Sequence, residues 1–220
     1  MYQLPDTERQ TFARTNVQTV AQRGRLLREL LPQTHAIGEI CCGDCAAQWQ
    51  QYRQVLPGVQ YTGLDIHPAI VAANRARGIP CVQGDALDGE AIRPFLACDI
   101  LFFGPPLSVD CDGHTLLDFH AVTPGFAPFA RLLLADLHYQ GTLVCIAPRG
   151  TNLGDARQLY EQIRSWRDDV GLHLIHYSYA TITGDGQATE PRLKYVELWF
   201  SSQLDDSWRV YHDGMAAHEA

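Results

Sequence analysis

Positive charge is scarce in this 220-residue chain: 17 lysines and arginines stand against 25 aspartates and glutamates, a formal charge of −8. That balance opposes unaided attraction to a phosphate backbone, although a local basic face is compatible with an acidic total. No apolar run is long enough to span a bilayer, and the opening Met1-Tyr-Gln-Leu-Pro-Asp-Thr-Glu-Arg-Gln10 has no basic flank leading into an apolar block. A soluble, cytoplasmic protein with no membrane partner is the expectation. There is no G-x-G-x-x-G turn of the ordinary dinucleotide type, and no twelve-residue acidic loop closing on a glutamate. A single C-x-x-C occurs, Cys42-Gly-Asp-Cys45, with no second one and no H-x-x-x-H to complete a tetrahedral metal site. No metal is expected. The motif reads either as a redox pair or as small residues lining a turn.

What is present is apolar bulk and a rhythm. Hydrophobic residues make up 46% of the chain, enough for one domain with a substantial core. The seven cysteines, an odd number lying mostly in apolar runs, suit reduced thiols better than a secreted disulfide framework. Val20, Leu26, Leu27 and Leu30 mark an amphipathic helix over 18–31, stopped by Pro32, in a helical lead-in of residues 1–35. Strands are then expected over Ile37–Cys41, Tyr61–Asp65, Pro80–Gln83, Asp99–Phe103 and Gly141–Ala147. Helices alternate with them over Asp44–Val55, with Asp44 as N-cap, and over Pro68–Arg77, Gly89–Leu96, Phe126–His138 and Gly154–Arg167. From Gly171 the rhythm changes. Leu172–Thr183 and Arg192–Ser201 read as strands with no helix between them and should pair as a hairpin, and residues 202–220 read as a loosely ordered extension.

Three segments carry the chemistry. Ala36-Ile-Gly-Glu-Ile-Cys-Cys-Gly-Asp-Cys45 is an apolar run holding one acid and breaking at Gly43; Val59-Gln-Tyr-Thr-Gly-Leu-Asp-Ile-His67 ends a second run on Asp65; Cys98-Asp-Ile-Leu-Phe-Phe-Gly-Pro-Pro-Leu107 ends a fourth on a Pro-Pro pair. An acid near a strand end followed by a tight turn into a helix presents a carboxylate and bare backbone to a nucleoside. Together, and with five βα units followed by a hairpin, these segments resemble the class I S-adenosylmethionine-dependent methyltransferases over about residues 17–201. The resemblance implies an α/β fold: a seven-stranded, mostly parallel Rossmann-like sheet, helices on both faces and a C-terminal antiparallel hairpin, forming a domain over 36–201.

It also implies roles. Where the family's first motif reads acidic-x-Gly-x-Gly-x-Gly, this chain has Glu39, Cys41, Gly43 and Cys45, so only the central glycine remains. Glu39 would serve the methionine amino group, and the backbone from Cys41 through Gly43 to Asp44 would pass beneath the cofactor. Asp65 would take both ribose hydroxyls, since one carboxylate offers two acceptor oxygens to a cis diol. Ile66 and His67 would flank the adenine, Asp85 and Ala86 would read its edge, and Phe103 joins this cofactor-binding set. Gly104-Pro105-Pro106-Leu107 stands where base amino-methyltransferases carry Asp or Asn, Pro, Pro and an aromatic residue. The backbone half of that site, the Gly104 carbonyl beside Pro105, is kept.

Ser108-Val-Asp-Cys-Asp-Gly-His114 follows, reading either as a solvated turn or as an acceptor-contacting loop in which Asp110, Asp112 or His114 takes or orients a proton. His120, Phe126 and Phe129 read as lining of the same cleft or as core. Arg9, Arg14, Arg23, Arg25 and Arg28 read as an anionic-substrate contact or an ordinary exposed helix face. Three functions remain open. The first is methylation of a nucleic-acid base amine, the second methylation of a small molecule or protein, and the third a catalytically silent binder of S-adenosylmethionine.

Overall fold

A computed structural model describes residues 17–106, 119–148, 150–179, 192–204 and 209–212. Its elements run α1 (Val17–Leu30), β1 (Ala36–Ile40), α2 (Ala46–Val55), β2 (Gln60–Asp65), α3 (Pro68–Ala76), β3 (Cys81–Gln83), α4 (Gly89–Ile92), β4 (Ile100–Phe103), α5 (Phe126–Arg131), β5 (Thr142–Pro148), α6 (Leu153–Trp166), β6 (Gly171–Tyr179), β7 (Arg192–Ser201) and β8 (Arg209–His212). The strands form one sheet in the order β3-β2-β1-β4-β5-β7-β6-β8. β1 to β5 pair in parallel; β6 and β7 pair antiparallel, as the hairpin reading expects, and β7 inserts antiparallel between β5 and β6. The eighth strand is an addition to the expected seven: β8 lies parallel to β6, inside the segment read as a loose extension. Among the described residues no helix is long and apolar enough to cross a membrane.

Strand alternation divides the core into two layers. On β4, Ile100 and Phe102 pack with Ile37, Tyr61 and Trp199 beneath α1 and α2, through Val20, Leu27 and Tyr52. Leu101 and Phe103 face the opposite layer, against Ile40, Phe126, Phe129 and Ile163. All four β4 residues are buried, as a central parallel strand covered on both faces must be.

Two helices depart from expectation at their ends. Pro94 has no amide to donate, and the helix begun at Gly89 tightens into a 3-10 turn over Arg93–Ala97. The segment read as a helix through His138 widens instead into a π turn over Leu132–Asp136, where the Leu137 amide donates to the Leu132 carbonyl at 2.9 Å. Asp44 is not the α2 N-cap. Cys45 holds that position, and the Asp44 carboxylate pairs with Arg77 at 2.6 Å.

Candidate functional site

The order of strands reverses between β1 and β4, so their C-terminal ends open the crevice where open α/β sheets take ligands. The chain leaving β1 turns sharply there, with Cys41 at φ 60° and Gly43 at φ 55°. Both are left-handed, a conformation natural to Gly43 and strained for Cys41. The Cys42 amide donates to the Leu64 carbonyl at 2.9 Å, holding the turn against the end of β2.

Asp65 closes β2 beside this turn. Its Oδ2 accepts from the Gly43 amide and its Oδ1 from the His67 amide, both at 2.9 Å. Each oxygen has a further lone pair, so the two amides orient the carboxylate without exhausting it. The next residue, Ile66, is 60% exposed and offers apolar surface beside Asp65. Asp85 is exposed after β3, its Oδ1 accepting from the Leu87 amide at 2.8 Å in an Asx turn, and Ala86 beside it is buried. Burial, then the charges of Asp65 and Asp85, pushes the Cys41 thiol up to about 12. The Cys41 turn thus lies within electrostatic reach of both carboxylates.

Glu39 sits elsewhere. Only 3% exposed, it faces the α1/α2 layer, where Tyr61 Oη donates to its Oε2 at 2.7 Å and Gln48 Nε2 to its Oε1 at 3.4 Å. Burial raises its pKa above 4.5, against the lowering effects of Arg23, Tyr61 and Gln48. Next to it lies a buried ion pair that the sequence reading missed. Arg23 Nε donates to Glu197 Oε1 at 2.7 Å, Nη2 reaches the same oxygen, and Nη1 donates to Tyr52 Oη at 2.9 Å. Tyr177 Oη and Trp199 Nε1 each donate to Glu197 Oε2 at 2.9 Å. The guanidinium lies over Phe102, 4.7 Å from the ring centroid. Arg23 is therefore neither a substrate contact nor part of an exposed face. Arg28 donates to the Val55 carbonyl at 2.8 Å, and Arg9 and Arg14 lie outside the described residues.

At the β4 end, the Gly104 amide donates to the Ile40 carbonyl at 3.1 Å, Pro105 is buried and Pro106 exposed. A Cβ at Gly104 would meet Ile146 Cδ1 at 3.2 Å, close but against a flexible side-chain end. Phe103 is buried in the core, stacked on Phe129 at 4.0 Å and edge-on to Phe126 at 5.8 Å, so its ring is committed to packing. Phe126 and Phe129 are core residues likewise. Leu107, Asp112 and His114 lie outside the described residues. His120, which follows them, places Nε2 3.2 Å from Asp155 Oδ1 at the start of α6. The cysteines of the C-x-x-C are free thiols, and among the described residues no group of three His, Cys, Asp or Glu is arranged to hold a metal.

Comparison with known proteins gives likeness in structure alone. No family sequence profile matches the chain, and neither does any curated protein. Among solved structures it is similar to an S-adenosylmethionine-dependent methyltransferase from Agrobacterium tumefaciens, with a TM-score of 0.55 and 14% identity over 86% of this chain and 63% of that one. It is also similar to the methyltransferase domain of bacterial CtHen1, with a TM-score of 0.53 and 12% identity over 84% of this chain and all of that one. A third is the plantazolicin methyltransferase BpumL, solved with S-adenosylhomocysteine, at a TM-score of 0.53 and 13% identity over 89% of this chain and 84% of that one. The fold is that of the class I methyltransferases.

Proposed function

We propose that this chain is a methyltransferase that binds S-adenosylmethionine across the C-terminal ends of β1, β2 and β3. The observation that carries the reading is Asp65, an oriented carboxylate at the end of β2, set against the left-handed turn at Cys41 and Gly43. The residues present fit an adenosyl group. Gly43 brings bare backbone to the crevice, Asp65 keeps lone pairs for a diol, and Ile66 supplies an exposed apolar surface for a purine. In this reading Asp65 holds the ribose, Ile66 and His67 flank the adenine, and Asp85 and Ala86 meet its edge.

S-adenosylmethionine supplies an activated methyl group on a sulfonium. The chain then has to bind, align and exclude water, since alignment alone contributes up to roughly 7–11 kcal/mol in favourable intramolecular cases. The Gly104 carbonyl, with Pro105 and Pro106 fixing the backbone around it, would receive a hydrogen of the acceptor, and Asp112 or His114 would take a proton where one must leave. A nucleic-acid base amine is the acceptor that the Pro-Pro pair supports. A small-molecule acceptor is the second reading, favoured by the charge of −8 and by the lack of a side chain at Gly104.

Transfer of label from methyl-tritiated S-adenosylmethionine into separated RNA, DNA, protein and metabolite pools tests both. Label in a base amine supports the first acceptor, and label in metabolites selects the second. Cofactor binding without transfer to any pool would leave a silent binder, and no binding would overturn the proposal.

A further inference from the structure

The C-x-x-C after β1 has no part in methyl transfer, yet its first thiol meets a third cysteine across the sheet. Cys42 Sγ lies 3.7 Å from the Sγ of Cys81, the first residue of β3. β2 runs between β1 and β3, and its Gly63 stands opposite Cys81 in the register. A Cβ at Gly63 would come within 2.7 Å of Cys42 Sγ and 3.6 Å of Cys81 Sγ. The side chain that glycine lacks is therefore the space in which the two sulfurs meet. Asn74 on α3 completes the cluster, with Nδ2 3.9 Å from both sulfurs and donating to the Gly43 carbonyl at 2.8 Å. Each cysteine is 4% exposed, β3 is an outermost strand, and Cys41, Gly43 and Asp44 around Cys42 are half-buried. A reagent of about the size of water reaches such a pair, whereas a bulky disulfide does not.

We propose that Cys42 and Cys81 are a redox-active pair, which hydrogen peroxide oxidises to a disulfide that draws the turn after β1 toward β3 and weakens nucleoside binding. The weakened binding rests on the methyltransferase reading; the disulfide does not. The Cys81 thiolate attacks one peroxide oxygen, the O–O bond breaks, and a sulfenic acid forms as hydroxide leaves and takes up the proton that Cys81 lost. Cys42 Sγ then attacks Cys81 Sγ, the S–O bond breaks, and water departs with the Cys42 proton. Two thiols are oxidised and one peroxide is reduced to two waters. The hydrogen bond from Cys42, and after it the one from Asn74, hold the Cys81 thiol below its ordinary range, which suits it to attack first. Sulfurs in a disulfide lie about 2.0 Å apart, so closure asks for about 1.7 Å of approach. β3 is tied to β2 by its ladder, and the turn makes the movement. Gly43, the next residue, then shifts against the Asp65 carboxylate that its amide orients.

Two measurements test it. The full chain is treated with hydrogen peroxide, its remaining thiols are blocked with N-ethylmaleimide in denaturant, and its unreduced proteolytic fragments are sequenced by mass spectrometry. The expected product is a cross-link between Cys42 and Cys81, two hydrogens lighter than the separate thiols and reopened by dithiothreitol. Cys42→Ser and Cys81→Ser should each lose it, and Cys45→Ser should keep it. No cross-link in the unsubstituted chain, a bond between Cys42 and Cys45 instead, or sulfinic and sulfonic acids alone would overturn the proposal. Calorimetric titration with S-adenosylhomocysteine then compares the reduced and oxidised chains. Affinity should fall by roughly tenfold or more on oxidation and return with dithiothreitol, while Cys81→Ser should bind equally before and after peroxide. Equal affinity of the reduced and cross-linked chains would overturn the effect on binding and leave the methyltransferase reading intact. A reduced chain that binds no S-adenosylhomocysteine would overturn that reading and the effect on binding together, while the mass spectrum still decides the disulfide.

Discussion

Replacing Arg23 with leucine should unfold this protein at markedly lower denaturant, although the change makes a buried helix face more apolar. Arg23 and Glu197 are both 0% exposed, so neither charge is relieved by water. Arg23→Leu leaves Glu197 Oε1 without its guanidinium, takes the donor from Tyr52 Oη and removes the contact with Phe102. Removing one partner of a buried pair costs about 3–5 kcal/mol, because an uncompensated charge stays behind. Against a typical total of roughly 5–15 kcal/mol that is a large share. At about 2–4 °C per kcal/mol for a chain of this size, the melting temperature should fall by roughly 6–20 °C. Urea unfolding followed by circular dichroism, with an unchanged slope, measures the loss. Glu197→Gln should cost a comparable amount, and the double variant less than the sum, with a coupling of about 2–3 kcal/mol. The coupling should persist at about 1 M salt, which screens exposed pairs but reaches buried ones much less. A single-variant loss below about 1 kcal/mol, or additive losses, would show the pair behaving as a surface salt bridge and refute the reasoning.

Three further outcomes are expected. Burial raises the folded-state pKa of Glu39 above its ordinary 4.5, so the folded chain binds the extra proton. Its contribution is fully present below that ordinary value and is lost as pH rises through the folded one; stability should fall over this window, and Glu39→Gln should remove the fall in urea titrations run pH by pH. Asp65→Ala should weaken S-adenosylhomocysteine binding by roughly tenfold or more by calorimetry, with the circular dichroism spectrum retained; unchanged affinity would remove Asp65 from the ribose. Cys41→Gly should stabilise by up to about 1 kcal/mol, since relief of a left-handed side-chain conformation, worth roughly 1–2 kcal/mol, exceeds the entropic cost of glycine. A destabilised Cys41→Gly would mean that the thiol packing outweighs the backbone strain.

The frame of the sheet was legible because its signals are local. Apolar runs of strand length alternating with helical periods gave the parallel half, and Gly184-Asp-Gly between two strand-like runs gave the hairpin. Asp65 was legible for the same reason: it ends an apolar run. Arg23 was not, because an arginine in an arginine-rich helix reads as solvated. Its position was the available clue, since residues 20, 23, 27 and 31 share one helical face and the other three are apolar. Glu197 inside Val196-Glu-Leu-Trp-Phe200 was the matching signal, a lone acid in a strand with no water on either face. The resemblance puts Phe103 in the cofactor-binding set, whereas the two-residue period of β4 places it on the Leu101 face, in the core.

The first turn shows how the reversal after β1 is built with a single glycine. Where the motif of the methyltransferases that this chain resembles has three glycines after its acid, this chain has Gly43, with cysteine at 41 and 45. The backbone needs something less specific: a reversal of direction that brings amides to the end of β2. Cys41 makes that reversal at φ 60° and Gly43 at φ 55°, with the Gly43 amide on Asp65 and the Cys42 amide on Leu64. Cys45 carries no such demand, since it sits at φ −92° as the cap of α2, where any residue is accommodated. The turn thus asks for left-handed backbone at two positions and pays for the non-glycine one in strain, which the surrounding hydrogen bonds hold in place. A hydrogen-bonded path of this kind constrains side-chain identity less than a run of glycines does, because only the backbone has to follow it.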